Sequence, residues 1–323
     1  MTDFPTALTN AQDNVTDVLA KHLNNLEEKV GIDESAVTDS LDYLAKHPME
    51  EEDANTVLLC HFDGDDEAQV SVDHATGKAL TFVADAKIDT AQYKFAPSSA
   101  FFDGTGDAIS LIDSADWTFG TGDFTIDFWA RWNAYDTADY YGFVGQYEGN
   151  DDRWVFYQEG TKLILLEKDG GNVNVFMNPA WTPVVDTWYH IALTRSGNFF
   201  RIFVDGTQVG DTLEDASAMA NHTGLLRIGA NMYNSIVANV MTGWIDELRI
   251  VKGVAKWAAD FDVPRKPYKI KSVGLTEITN ETISTGVGSV KMGSASARTN
   301  TGFLKIITPA GPRYIPYFTD ITG

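Results

Sequence analysis

The sequence predicts a mainly β protein in which a large antiparallel β-sandwich carries a helical N-terminal segment and a small C-terminal β segment. Three observations support this fold class. Residues 51–268 hold short runs of period two between turn residues, residues 1–50 show helical periodicity, and residues 269–323 are rich in Gly, Ser and Thr. Because no long helical pattern separates the central runs, we expect their strands to pair antiparallel.

Residues 1–50 are expected to form two amphipathic helices. The first follows a capping-box sequence at Thr9–Gln12 and ends at Gly31, and the second runs from about Glu34 to His47. Each helix has one apolar stripe and cannot form a core alone, so three outcomes are open: packing on the sandwich, self-association, or docking on another protein. The acidic linker that follows favours association, and we take a trimer as the working stoichiometry of a homo-oligomer.

Composition limits the partners of the chain. The 323 residues hold 24 basic and 46 acidic side chains, a net charge of −22, which argues against nucleic acid because phosphate binding needs Lys and Arg. The start lacks a basic and apolar leader, and no apolar run approaches the ~18 residues of a membrane span, so neither export nor membrane insertion is expected. The single cysteine, Cys60, is predicted to be a buried, inert thiol and fits folding in a reducing cytoplasm.

The central strands show the alternation of half-buried β-structure. In one run, apolar residues alternate with residues expected on the outer face, as when one face of a strand packs on a core. The apolar residues of this run are Phe124, Ile126 and Phe128. Asp205-Gly206 between two such runs is a strong signal for a tight hairpin.

The stretch Thr242–Trp257 reads as the closing strand of the sandwich. Its alternation places four residues on one face, namely Trp244, Asp246, Leu248 and Ile250. A carboxylate that faces a core costs several kcal/mol unless it is hydrogen-bonded, paired or bound to a cation. Asp246 is therefore predicted either to fasten a neighbouring loop or to ligate a metal ion.

Six motifs, in order, resemble the concanavalin A-like, laminin-G-like jelly-roll family. They span about Asn55 to Tyr268 and are VLLCHFDG (Val57–Gly64), AFFDGTGDAISL (Ala100–Leu111), TGDFTIDFWARW (Thr121–Trp132), DTWYHIALTRSGNFFRIFVDG (Asp186–Gly206), GLLRIGA (Gly224–Ala230) and TGWIDELRIVKGVAKW (Thr242–Trp257). The resemblance implies a jelly-roll sandwich but leaves the function open, because this fold has many functions. It also implies one structural calcium ion, held by Asp63, the carbonyl of Gly104, and Asp246.

Carbohydrate binding stays open as a function of the sandwich. Sugar sites combine aromatic faces with polar groups, and the less regular stretches contain Tyr140, Tyr141, Tyr147, Trp154, Tyr157, Trp181 and Tyr233. Filling of the core or an ordinary surface position is the favoured interpretation of these aromatic residues, and Trp154 and Trp181 are the best individual candidates for a sugar platform. Catalysis is not expected, because glycoside hydrolysis needs two facing carboxylates and Asp246 and Glu247 point to opposite faces.

The C-terminal residues predict a small β-hairpin and a setting for the protein. Strands are expected at Phe303–Thr308 and Tyr314–Thr319, with a turn at Pro309–Pro312. The GFLKI and YIPYFT sequences are similar to C-terminal segments of bacteriophage virion proteins, which often follow laminin-G-like modules.

We therefore predict a non-enzymatic structural protein of a phage virion, a capsid decoration or head-fibre protein that displays a lectin-like sandwich. Its expected partners are phage capsid or other virion proteins, further copies of the chain, and a host-surface or environmental glycan, without nucleic acid or membrane. Two alternatives stay open, namely a carbohydrate-binding module or adhesin, and a tail-associated virion protein.

Overall fold

The computed structural model describes residues 54–233, 236–269, 302–308 and 311–317. The predicted helical segment, residues 1–50, lies outside these described residues. Within them, no helix has both the length and the apolar character needed to cross a membrane.

The described part of the chain forms nineteen β-strands and one short 3-10 helix, Ala115–Trp117. The strands are β1 Thr56–Cys60, β2 Thr81–Val83, β3 Lys87–Asp89, β4 Ser99–Asp103, β5 Ala108–Leu111, β6 Phe124–Trp132, β7 Tyr140–Gly149, β8 Asp152–Glu159, β9 Lys162–Asp169, β10 Asn172–Met177, β11 Trp188–Ser196, β12 Phe199–Val204, β13 Thr207–Glu214, β14 Leu226–Ile228, β15 Asn231–Tyr233, β16 Ile236–Ala238, β17 Thr242–Lys252, β18 Gly302–Thr308 and β19 Gly311–Tyr317. This content confirms the mainly β prediction for the central region.

Two antiparallel sheets form the sandwich. Sheet I has eight strands in the order β13-β12-β11-β6-β17-β4-β3, with β1 pairing on β17 as well. Sheet II has seven strands in the order β10-β9-β8-β7-β14-β5-β2. Neighbours such as β6 and β17 are distant in sequence, so the chain crosses repeatedly between the sheets, which is the connectivity of a jelly roll.

The core lies between the two sheets and follows the predicted alternation. In β6, Phe124, Ile126 and Phe128 are fully buried members of the main apolar cluster, which contains residues of both sheets. Ile126 pairs with Leu193 of β11 on one side and with Ile250 of β17 on the other. The inner faces of sheets I and II therefore share one continuous core.

The central strand β17 is bordered on one edge by two strands placed end to end. β4 pairs with its first residues, from Thr242 to Ile245, and β1 pairs with its later residues, from Leu248 to Val251. Cys60 at the end of β1 is fully buried, and burial raises the pKa of its thiol well above the ordinary value. Cys60 is thus buried, as predicted, and a raised pKa disfavours its reactive thiolate form.

The hairpin between β12 and β13 has the predicted two-residue turn. Asp205 has φ +46° and Gly206 has φ +76°, and the left-handed conformation at both positions is that of a type I′ turn. A Cβ on Gly206 would lie 1.9 Å from the carbonyl oxygen of Phe261, so only glycine fits this position.

The C-terminal hairpin exists, but its second strand begins earlier than predicted. β18 covers Gly302–Thr308 and β19 covers Gly311–Tyr317, and their register pairs Thr308 with Gly311. The predicted strand began at Tyr314 because Pro312 was assigned to the turn. Pro312 instead pairs with Ile307 within the ladder, and proline is tolerated in strands of a two-stranded sheet, whose outer edges need no donor.

Residues 253–269, called the strap below, follow β17 and cross the outer face of sheet I. Gly253 N donates to Asp123 O at 2.7 Å, and Phe261 N donates to Gly206 O at 2.9 Å. Near the end of the strap, Tyr268 N donates to Glu247 Oε2 at 2.8 Å. The strap thus covers side chains that the sheet alone would leave in solvent.

Candidate functional site

The strand phase predicted for β17 is wrong after Asp246, because the strand contains a β-bulge. Its register with β6 shifts between Asp246 and Arg249, and Glu247 has φ +51°. Ile245 and Leu248 both face the core and are fully buried. Asp246 pairs with Trp129, and both side chains lie on the outer face of sheet I, which is opposite the core. Asp246 is therefore buried, but on the outer face of the sheet rather than in the core.

The contacts of Asp246 are those of a residue that fastens a loop. Its Oδ2 accepts hydrogen bonds from Lys94 N at 2.8 Å and from Phe95 N at 3.0 Å. Burial raises the pKa of Asp246 well above its ordinary value, Glu247 raises it further, and the two backbone donors act in the opposite direction. Of the two predicted roles, these contacts favour the loop anchor.

The three residues of the predicted calcium site do not come together. Thr242 pairs with Asp103, which places Gly104 beside the start of β17, while Asp246 lies four residues further along that strand. This separation is about 13 Å along the strand, whereas ligands of one calcium ion lie within about 5 Å of one another. Asp63 is exposed beyond the end of β1. Among the described residues, no cluster of His, Cys, Asp or Glu is suited to a metal ion.

The two predicted sugar platforms both have contacts with the core. Trp154 is fully buried, and its ring packs at 5.6 Å from Phe119, so it presents no face to a ligand. Trp181 is half-buried against the core, 5.8 Å from Trp132 and 5.0 Å from Tyr189. The favoured interpretation, filling of the core, is correct for Trp154.

A buried ionic cluster lies between sheet I and the strap. Asp127 Oδ1 accepts from Arg249 Nε at 3.0 Å, and its Oδ2 lies 3.2 Å from His190 Nε2. The hydroxyl of Tyr268 also donates to Asp127, and the Arg249 guanidinium lies 3.6 Å from the Tyr268 ring centroid. Asp127 and His190 are both fully buried. Because these side chains are buried and contact Tyr268 of the strap, the cluster holds the strap on sheet I.

A cleft on the outer face of sheet II is the candidate binding site. It has a volume of about 380 Å³ and lies where β7, β8, β9 and β10 meet the loops at one end of the sandwich. Its lining combines aromatic and polar side chains, including Tyr140, Phe176, Glu159, Lys162 and Asn178. Tyr140 is 43% exposed and Phe176 is 47% exposed, so both aromatic rings are open to solvent.

Cross-strand pairing holds the aromatic wall of the cleft. Tyr140 pairs with Glu159, and its ring lies nearly parallel to that of Tyr157, with centroids 6.4 Å apart. The Tyr157 hydroxyl donates to Glu159 Oε2 at 3.1 Å. Burial and the nearby Glu159 carboxylate raise the pKa of Tyr157, so its hydroxyl stays protonated and keeps donating.

The loops at the rim of the cleft are fastened to one another. Gln158 Nε2 donates to Gly160 O at 2.8 Å and to Trp181 O at 3.0 Å. The Tyr135 hydroxyl also donates to Gly160 O, and Trp181 N donates to Thr161 O at 2.9 Å. Trp181 therefore supports the rim from beneath, and the cleft is largely formed before any ligand arrives.

Sequence reasoning included Tyr140 among the candidate aromatics but missed Phe176. In β10, Val175 and Met177 face the core, and Phe176 falls between them on the outer phase. An aromatic residue on the polar phase of a strand is the signal that would have identified it.

The comparisons with known proteins agree with this architecture. Residues 103–258, a little under half of the chain, match a laminin G family model described as the concanavalin A-like lectin/glucanases superfamily. No curated protein matches the sequence.

Several solved structures resemble the chain. The binding domain of Paraclostridial mosquitocidal protein 1 has 13% identity and a TM-score of 0.48, over 62% of this chain and 49% of that one. Domain 4 of AbnA, an arabinanase from Geobacillus stearothermophilus in complex with arabinotriose, has 16% identity and a TM-score of 0.47, over 64% and 96%. A botulinum neurotoxin type C structure has 12% identity and a TM-score of 0.47, over 62% and 48%.

The chain therefore spans about half the length of the two toxin structures. Residues 103–258 are therefore similar to the concanavalin A-like, laminin-G-like family, and the two antiparallel sheets form a jelly-roll sandwich.

Proposed function

We propose that the sandwich binds a carbohydrate in the cleft on sheet II. The observation that carries this proposal is the pair of half-exposed aromatic rings, Tyr140 and Phe176, beside the polar groups of Glu159, Lys162 and Asn178. Sugar rings stack their C–H faces on aromatic side chains, and polar groups at the rim bind the hydroxyls. The cleft combines these two requirements on strands that are fixed by cross-strand pairing.

A glycan array probed with the full-length chain tests this proposal. We expect Tyr140→Ala and Phe176→Ala each to weaken binding to the best glycan by about tenfold. Tyr93→Ala is the matched control, because Tyr93 is also 43% exposed but does not line the cleft. Binding that is insensitive to both cleft variants would contradict the assignment.

The same cleft supports a non-enzymatic role. Glycoside hydrolysis uses two carboxylates on either side of the scissile bond, and Glu159 is the one carboxylate among the residues that line the cleft. We therefore expect no release of reducing sugar from any polysaccharide that the chain binds. Release that is lost in Glu159→Gln would refute this expectation.

For the biological setting, we propose a structural protein of a phage virion, a capsid decoration or head-fibre protein. The support is the similarity of the GFLKI and YIPYFT sequences to C-terminal segments of virion proteins, together with the β18–β19 hairpin that these residues form. A two-stranded sheet of this kind is marginally stable alone, and its free edges are suited to pairing with another protein. Capsid proteins and further copies of the chain are the proposed partners.

Mass spectrometry of purified virions and immunogold imaging of the particles test this setting. Labelling of the head supports decoration, and labelling of the tail supports a tail-associated position. Sedimentation of the full-length chain tests the trimer. A chain that is absent from particles but still binds glycans would be a carbohydrate-binding module or adhesin instead.

A further inference from the structure

The outer face of sheet II carries a continuous row of paired residues that runs from Arg227 to Phe176 in the aromatic cleft. The ladder register connects Arg227 of β14 to Gly145 of β7, then to Val155, Leu166 and Phe176. Residues paired across a ladder share a face. The neighbours of Arg227 within its own strand, Leu226 and Ile228, are fully buried in the core, so Arg227 points outward on the same face as Phe176.

Arg227 is half-buried without a counter-charge. The structure gives it neither an ion pair nor a hydrogen bond among the described residues. Burial lowers the pKa of its guanidinium, and no carboxylate opposes that shift. A guanidinium has five donors and no acceptor, so Arg227 has donors available for an acceptor from outside the chain.

Two further cations lie directly opposite each other on this face. The ladder pairs Arg153 of β8 with Lys168 of β9, and like charges in such a pair destabilise a sheet. Arg153 is held by Asn150 O at 2.5 Å, a neutral acceptor. Lys168 Nζ is 3.7 Å from Asp151 Oδ1, a loose contact with a carboxylate whose side chain is 70% exposed. The pair is therefore only weakly neutralised.

Two cations on sheet I have closer carboxylate partners than Arg227, Arg153 and Lys168 do. Lys87 Nζ lies 2.6 Å from Glu67 Oε1, and Arg131 Nη2 lies 2.8 Å from Asp186 Oδ1. In a chain with 46 acidic and 24 basic residues, carboxylates are abundant. Three incompletely neutralised cations on one face therefore point to an anion that comes from outside the chain.

We propose that this face binds an anionic glycan, a polysaccharide bearing carboxylate or sulfate groups, with Arg227, Arg153 and Lys168 binding the charged groups and Phe176 stacking on a sugar ring. The inference rests on the proposed function and names its ligand class. Arg153 lies two strands from Arg227 across the sheet and two residues along β8 from Val155, which is in register with Arg227. Their Cα atoms are therefore about 12 Å apart. That spacing lets separate charged groups of one extended glycan reach both guanidiniums, each in a charge-assisted, two-pronged hydrogen bond.

The test uses the full-length chain and glycans that differ in charge alone. The pairs are dextran sulfate with dextran, and polygalacturonate with its methyl ester, each measured by calorimetry at two salt concentrations. We expect the charged member of at least one pair to bind about tenfold tighter, and Arg227→Gln to remove that difference. Binding should weaken with salt, because the contacts are ionic. The carboxylate and sulfate arms show which group is preferred.

Two variants separate binding from folding. The double variant Arg153→Gln/Lys168→Gln should weaken anionic binding without lowering the thermal transition, because it removes a like-charged pair. Arg201→Gln is the control, since Arg201 lies on β12 in sheet I, and it should leave binding unchanged.

The outcomes distinguish the two proposals. Equal binding of charged and neutral glycans, still sensitive to Tyr140→Ala, would overturn the anionic ligand and leave carbohydrate binding intact. Absence of binding to every glycan would overturn both. Equally tight binding of a single-stranded oligonucleotide would show affinity for polyanions in general, and would also overturn the assignment of a glycan.

Discussion

Removal of the Asp127 carboxylate is the sharpest test of how the strap is held. Asp127→Ala removes the carboxylate that lies 3.0 Å from Nε of Arg249, a guanidinium that is 3% exposed. Breaking one partner of a buried ion pair typically costs about 3–5 kcal/mol. For a domain of roughly 200 residues, each kcal/mol lowers Tm by roughly 2–4 °C, which gives a total loss of roughly 6–20 °C.

The stability that is lost in Asp127→Ala should depend on pH in a defined direction. Burial by itself raises the pKa of Asp127, but Arg249 and His190 outweigh it and hold that pKa below the ordinary value. A carboxyl group whose folded-state pKa is depressed contributes stability above its unfolded pKa, and the contribution disappears as the pH falls through the folded value. The gap between the wild type and Asp127→Ala should therefore be widest near neutral pH and should narrow in acid.

Urea denaturation of the full-length chain across pH 3–8 measures both effects. Asp211→Ala, at an exposed position of β13, is the matched control and should change the free energy of unfolding by less than about 0.5 kcal/mol. In Asp127→Ala/Arg249→Met both charges are gone, and most of the stability should return. If Asp127→Ala matched Asp211→Ala at neutral pH, the cluster would not hold the strap.

Three further predictions concern single residues. Asp246→Ala should cost about 1–3 kcal/mol by leaving the Lys94 and Phe95 amides unpaired, with no response to chelator. Because the folded-state pKa of Asp246 is raised, its stabilising contribution is full in acid and is lost as the pH rises through that pKa. Asp246→Asn should thus gain stability relative to the wild type with rising pH, and a constant difference in urea titrations would oppose this. Gly229→Ala should cost more than Gly77→Ala in thermal melts. Both have φ +78°, but a Cβ on Gly229 would meet the Phe102 ring at 2.1 Å, whereas Gly77 has open space. Trp154→Ala should cost about 3–5 kcal/mol in urea denaturation, as for a buried aromatic residue, and an unchanged unfolding midpoint would contradict its burial.

The sequence correctly predicted those parts of the fold that neighbouring residues determine, namely the alternation of a strand and a tight turn. The alternation in β6 correctly separated Phe124 and Ile126 from the outer face, because a strand reverses its side chains at every residue. Asp205-Gly206 predicted its turn, because few other residues accept two consecutive left-handed conformations. The bulge at Glu247 has no such signal, since non-glycine residues rarely adopt positive φ. Its conformation is imposed by the strands on both sides of β17.

The candidate site was less predictable because it depends on the register of five strands. Arg227, Gly145 and Phe176 are far apart in sequence, and only the pairing of β14, β7, β8, β9 and β10 places them in one row. Aromatic composition alone selected Trp154, which fills the core. Composition records how many large side chains a chain has, but their division between core and surface follows from the phase of each strand.

Arg249 and Arg227 lie on opposite outer faces of the sandwich and differ in their partners, and this contrast is the physical basis for assigning different roles to them. On sheet I, Arg249 is buried beneath the strap and neutralised by Asp127. A charge desolvated in this way is stable only with a permanent partner, so that face is structural. On sheet II, Arg227 is half-buried and has no partner among the described residues. A cation that is partly desolvated in advance loses less hydration when an anion arrives, and it therefore gains more from a ligand than a fully solvated lysine does. The chain thus neutralises Arg249 with its own carboxylate and leaves Arg227 available for an external one.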